Sequence, residues 1–246
     1  MTKALFMMVV IAAVLVALPA AAQDEEVVED FVEESPVVDA TPMPANTPVP
    51  AATATPLPGP GSVLLSDNFD DPTRAQLPLS STSPQESQGY VDGEYEIING
   101  QAGPGSVADV LVPGNYFDSS ISVDARAIGG IQGRRAVQVF CRAGGGGAYA
   151  LDIYPDEQRV ILLRRQPSTP GSPAILIDQR GTSVIRAGEA VNRVELACVG
   201  PVITGTVNGV VVATVNDPNY TSGRSGIAAR GSGTRARFDN LVVTQR

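Results

Sequence analysis

The chain has 246 residues, 43% hydrophobic and 17% charged, with a formal net charge of −9, a composition that supports one packed core and excludes a chain disordered throughout. It contains no His and no Trp. A Ser-His-Asp triad, a Cys-His dyad and a His-ligated zinc are therefore excluded, and any stacking platform for a sugar must use Tyr, Phe or Arg.

Taken in chain order, Lys3, the apolar run of residues 5–18 and the small residues Ala20, Ala21 and Ala22 predict a cleaved secretory signal over 1–22. The run is shorter than the roughly 20 residues a bilayer span requires, so no membrane span is expected after cleavage, an uncleaved anchor being the alternative. The expected location is secreted or extracytoplasmic, at the cell surface. Residues 23–61 are acidic and then Pro/Thr-rich, which reads as a disordered, extended linker. Eight of the 26 acids fall between Asp24 and Asp39, leaving 18 against 16 Arg in the remainder. That near-neutral balance excludes a cationic nucleic-acid surface.

From residue 62 to 246 the pattern changes to short β-branched runs separated by Gly, Asn, Asp and Pro, without a helical period. Strands are predicted at 95–98, 120–127, 136–142, 149–154, 159–165, 174–178, 192–199, 202–207, 210–215, 225–229 and 237–244. Regular spacing of this kind predicts an all-β, antiparallel two-sheet β-sandwich of jelly-roll type. Asn208-Gly209, between two of these runs, supplies the two positive-φ positions of a type I′ hairpin.

Cys141 and Cys198 are the only cysteines, and in an exported chain a disulfide is the default reading. Val137, Val139 and Cys141 share one strand face, as do Val194, Leu196 and Cys198. Both cysteines thus sit on apolar faces, as partners across a sandwich interior would; two free buried thiols are the alternative.

Two candidate sites follow from the same alternation. Glu94 and Glu96 share a face about 6.6 Å apart, a separation from which paired carboxylates can act as acid and nucleophile, although Tyr95 and Ile97 then point inward and leave the acids a solvated face. Arg142 alternates with Cys141 and is expected to point with Gln138 and Phe140 to the outer face. There a guanidinium fork, an amide and a ring could contact a polyol, with Tyr149 nearby and Tyr154 as a further wall. The alternative is an exposed sheet face filled by polar and aromatic pairs. The run Gly144-Gly-Gly-Gly147 lacks the Lys and Ser/Thr of a phosphate-binding loop and reads as a flexible turn.

Several segments carry a family likeness: Leu65-Ser-Asp-Asn-Phe-Asp-Asp-Pro72, Gly89-Tyr-Val-Asp-Gly-Glu-Tyr-Glu-Ile97, Val139-Phe-Cys-Arg142, Asn192-Arg-Val-Glu-Leu-Ala-Cys198 and Phe238-Asp-Asn-Leu-Val242. Together they resemble the concanavalin A-like lectin/glucanase superfamily, nearest the domain-of-unknown-function group related to 3-keto-disaccharide hydrolases. The resemblance implies that Asp67 and Asp239 lie on neighbouring edge strands, where they could share a structural calcium ion (Ca2+) or simply cap strand ends. No other cofactor is expected. The expected function is a non-catalytic, lectin-like binding module for a glycan or cell-envelope component. The alternatives are a 3-keto-type glycoside hydrolase using Glu94 and Glu96, and a structural or adhesion domain.

Overall fold

The alternation that predicts strands also sorts their residues into an inward and an outward set, and two layers of strand pack inward set against inward set. The computed structural model describes residues 59–83, 86–103, 105–166 and 173–246. The expected signal segment and the linker as far as residue 58 lie outside them.

One antiparallel sheet runs in the order β13 (Val210–Asn216), β12 (Val202–Val207), β11 (Asn192–Val199), β6 (Ser119–Gly129), β15 (Arg235–Gln245), β4 (Glu94–Ile98), β3 (Glu86–Val91) and β2 (Ser80–Ser83). Its ninth strand, β1 (Val63–Asp67), pairs with the second half of β15. The other sheet has six strands, in the order β10 (Ala174–Gln179), β9 (Arg159–Arg165), β8 (Gly147–Tyr154), β7 (Ala136–Gly144), β14 (Arg224–Arg230) and β5 (Val107–Leu111). Four strands, β1, β2, β3 and β5, lie outside the predicted runs.

The core lies between the sheets. Val137, Val139 and Cys141 of β7, Tyr149, Leu151 and Ile153 of β8, and Ile227 of β14 belong to one buried cluster with Ile121 and Val123 of β6, Val194, Leu196 and Cys198 of β11, and Phe238 of β15. Each such aliphatic or aromatic side chain contributes roughly 1.5–3 kcal/mol by leaving water. The disulfide between Cys141 and Cys198 ties β7 to β11 across this core, with Cα atoms 6.7 Å apart and a sequence separation of 57.

Two local features shape the surfaces. Asn208 and Gly209 have φ of 49° and 83°, the positive values a type I′ turn requires between β12 and β13. In β15 the register shifts between Asp239 and Val242, with Asn240 at φ 50°. Before this bulge β15 pairs with β4, and after it with β1. The first and last described strands therefore adjoin as the resemblance implied, but β15 is not an edge strand, because β6 runs along its other side.

Candidate functional site

With the inward faces filled by core, a ligand site must lie on an outward face, at an edge or at a loop end. The outward face of the six-stranded sheet is unusual in carrying a second apolar layer: Phe140, Ala150, Ile161, Leu163 and Ala228 are buried together there, with Val107, Leu111 and Tyr154 packed on them. Above this layer is a cleft of about 630 Å3, lined among others by Val107, Ile161, Leu163, Arg165, Ile175 and Arg230. Its size falls within the usual range of small-ligand sites.

A polar array is set into this apolar face. Asp152, on β8 between the inward Leu151 and Ile153, has no exposed surface. Its Oδ1 accepts a hydrogen bond from Gln138 Nε2, and Gln138 Oε1 in turn accepts from Arg165 Nη2. Arg165 Nη1 donates to Asp109 Oδ2 at 2.8 Å, while its guanidinium lies 5.0 Å from the centroid of the Phe140 ring. Arg230 Nε is 3.1 Å from Asp152 Oδ2 and 3.1 Å from the Tyr154 hydroxyl, to which it donates. Asp152 Oδ2 thus faces a cation yet accepts no hydrogen bond. Burial pushes the Asp152 carboxyl above the usual carboxylate range, and the attraction of Arg230 and the Gln138 hydrogen bond only partly oppose it.

The five expected ligand-binding residues are divided by the structure. Gln138, Phe140 and Tyr154 are on this face, but Gln138 and Phe140 are fully buried beneath Arg165, so only Tyr154 is partly exposed. Arg142 and Tyr149 are elsewhere. Between the Cys141↔Tyr149 and Gly144↔Gly147 pairs, β7 has one residue more than β8, a bulge at which Arg142 takes φ 54°. The extra residue cancels the alternation. The Arg142 side chain is buried, its Nη1 donating to the carbonyls of Gly200 at 2.7 Å and Tyr220 at 2.8 Å and its Nη2 to Asp118 at 3.1 Å. Tyr149, paired with the inward Cys141, is in the core, where its hydroxyl donates to Asp217 at 2.8 Å. Burial raises its pKa to about 12.

Glu94 and Glu96 lie on the outward face of the nine-stranded sheet, with Tyr95 and Ile97 in the core as the alternation predicts. They are not a solvated pair. Arg126 binds Glu94 with two nitrogens, at 2.5 and 3.1 Å, and Arg237 contacts Glu94 at 3.2 Å and Glu96 at 2.8 Å. Arg235 stands 3.5 Å from Glu96, which is left 8% exposed. This is an ion-pair ladder across β4, β15 and β6, and it leaves neither acid free to meet a substrate.

Asp67 and Asp239, expected to share a calcium ion, each have hydrogen-bond partners of their own. Asp67 is buried, and its two oxygens accept from the Phe69 amide at 2.9 Å and the Tyr90 hydroxyl at 3.0 Å. Asp239 accepts from the Asn240 amide at 2.7 Å and the Asn240 side chain at 3.2 Å. Among the described residues no three His, Cys, Asp or Glu side chains are grouped to hold a metal ion.

Sequence reasoning missed Asp152, Arg165 and Arg230. The first had a signal: an acid alternating with Leu151 and Ile153 in an otherwise apolar strand is costly to bury unless it is paired. A second hollow, of about 500 Å3 beside Val210 and Val211, has Arg180 as its one charged lining residue, and Arg180 is already paired with Glu157.

Two packed antiparallel sheets in this arrangement define a concanavalin A-like β-sandwich. The solved structures it is similar to include a Bacillus subtilis protein of unknown function with a galectin-like fold, at 12% identity and TM-score 0.54, covering 76% of this chain and 97% of that one. They also include the β-glucanase of Bacillus licheniformis, at 11% identity and TM-score 0.53, covering 76% and 99%. A third is the laminarinase of Flavobacterium sp. UMI-01, at 13% identity and TM-score 0.52, covering 75% and 100%. No family model matches the chain, and no curated protein matches it. At such identities the likeness is one of fold.

Proposed function

We propose that the domain is a non-catalytic, exported module that binds a glycan in the cleft on the outward face of its six-stranded sheet. One observation carries the reading: a cleft of about 630 Å3 in which the apolar walls Val107, Ile161 and Ile175 meet Arg165 and Arg230. Apolar walls suit the C–H faces of sugar rings, and the fixed polar groups suit their hydroxyls. That a β-glucanase and a laminarinase share the fold makes saccharides the first ligand class to test. The disulfide and the signal-like first 22 residues fit an extracytoplasmic site of action.

The test is a glycan array followed by calorimetry. Ile175→Asp, at a side chain already 58% exposed, and Arg165→Ala are expected to weaken binding about ten-fold or more each, while Glu94→Gln and Glu96→Gln leave it unchanged. The alternative is glycoside hydrolysis of the 3-keto type, for which Asp152, fully buried beneath the cleft, would have to be uncovered before it could reach a glycosidic oxygen. Consumption of a keto-glycoside, abolished by Asp152→Asn, would replace the binding module with that enzyme. An array and a substrate panel both without response would leave a structural or adhesion domain.

A further inference from the structure

Of the residues lining the cleft, Arg230 presents donors to it. Arg230 uses Nε on the Tyr154 hydroxyl; among the described residues its Nη1 and Nη2 make no hydrogen bond, although the residue lines the cleft. The Tyr154 hydroxyl accepts from Arg230 and so holds the guanidinium in place. The other charges on this face are differently placed. Arg165 is shared between Asp109 and Gln138, and Arg159 binds Asp178 with two nitrogens, both at 2.7 Å. The carboxylate of Arg230 is Asp152, which is fully buried and approaches Nε, leaving the fork of terminal nitrogens to the ligand. A planar fork of this kind recognises a carboxylate or sulfate with two parallel hydrogen bonds.

We infer that the cleft reads an acidic saccharide, with the Arg230 fork holding a sugar carboxylate or sulfate ester and Ile161 and Ile175 packing on the ring. The inference rests on the glycan-binding reading and goes beyond it by fixing the ligand's charge and the residue that reads it. Asp109 and Asp178 are neutralised by Arg165 and Arg159, so they do not repel an incoming anion.

The experiment compares matched ligands by calorimetry on the full domain: a uronate oligosaccharide, its carboxyl-reduced counterpart with the same linkages, and a sulfate-ester oligosaccharide. The wild type is expected to bind an acidic ligand at least about ten-fold more tightly than the reduced one, the advantage shrinking as salt is raised. The uronate and sulfate arms identify which acid group is the source. The double variant Arg230→Gln with Asp152→Asn, which leaves no buried charge unpaired, is expected to bind acidic and reduced ligands within about two-fold of each other, and Arg230→Lys to retain part of the preference. Equal binding of reduced and acidic ligands by wild type would overturn the inference and leave the glycan reading standing. Binding of none of the three, with an empty array, would overturn both.

Discussion

Arg142 shows how one backbone angle moves a functional assignment. Strict alternation places it outward beside Phe140, but φ of 54° at the bulge turns it into the end of the core, where it gathers Gly200, Tyr220 and Asp118. Arg142→Ala removes the buried guanidinium that ties the Gly200 and Tyr220 carbonyls and Asp118 to β7 and is expected to cost about 1–3 kcal/mol, seen as a lower melting temperature with unchanged ligand affinity. An unaltered melting temperature would show that Arg142 does not hold this end of the sandwich together. Burial also raises the pKa of Tyr149, to about 12, and that of Tyr95. The unfolded chain therefore loses these protons first as pH rises. Stability that is complete below about pH 10 is expected to fall between about pH 10 and 12. In tyrosinate absorbance the Tyr149 and Tyr95 hydroxyls are expected to ionise only as the domain unfolds. Early ionisation of all six tyrosines in folded protein would contradict this burial.

At the scale of elements, the strands that alternation predicts are those with a full apolar face on the core, such as β6, β8 and β11. Those it misses have other supports. β3 (ESQGYV) is partly exposed along its length, and β1 and β5 are edge strands whose few apolar residues break the period. Register shifts were equally illegible, because a bulge depends on neighbouring strands rather than on the strand's own residues. That is why Gln138, Phe140 and Tyr154 were placed on the right face from sequence while Arg142 was not. Tyr149 is a different case. Its parity, opposite to that of Tyr154, already places it inward.

One glycine decides how β14 meets its neighbours. A Cβ on Gly226 would lie 2.2 Å from both the Phe140 ring and the Val110 carbonyl oxygen, so Gly226→Ala must push β7 and β5 apart. It is expected to cost about 2 kcal/mol or more and to disturb the cleft floor. Gly144→Ala, where a Cβ meets nothing within 4 Å, is expected to stay within about 0.5 kcal/mol of wild type, and equal denaturation curves for the two variants would contradict the packing described. The disulfide joins elements of opposite sheets. Cys141→Ser is expected to cost about 2–5 kcal/mol, and reductant should lower the melting temperature of wild type but not of the variant.

For the whole molecule, one sandwich presents two unlike outward faces. On the nine-stranded sheet Glu94 and Glu96 are held with Arg126 and Arg237 in a ladder of internal pairs. The six-stranded sheet leaves a cleft with an unshared arginine fork above an apolar layer. The fold was legible in sequence because it depends on periodicity and turn chemistry. The site was legible only in outline, because it is assembled from β8, β9 and β14, and Arg165 and Arg230 meet only through sheet pairing. Titration of the isotopically labelled domain with its best array ligand, followed by amide chemical shifts, tests the central claim most directly. The account predicts that the shifts cluster at Asp152, Tyr154, Ile161, Arg165 and Arg230, with Glu94, Glu96, Arg126 and Arg237 unmoved; shifts confined to those last four would place the site on the opposite sheet and contradict it.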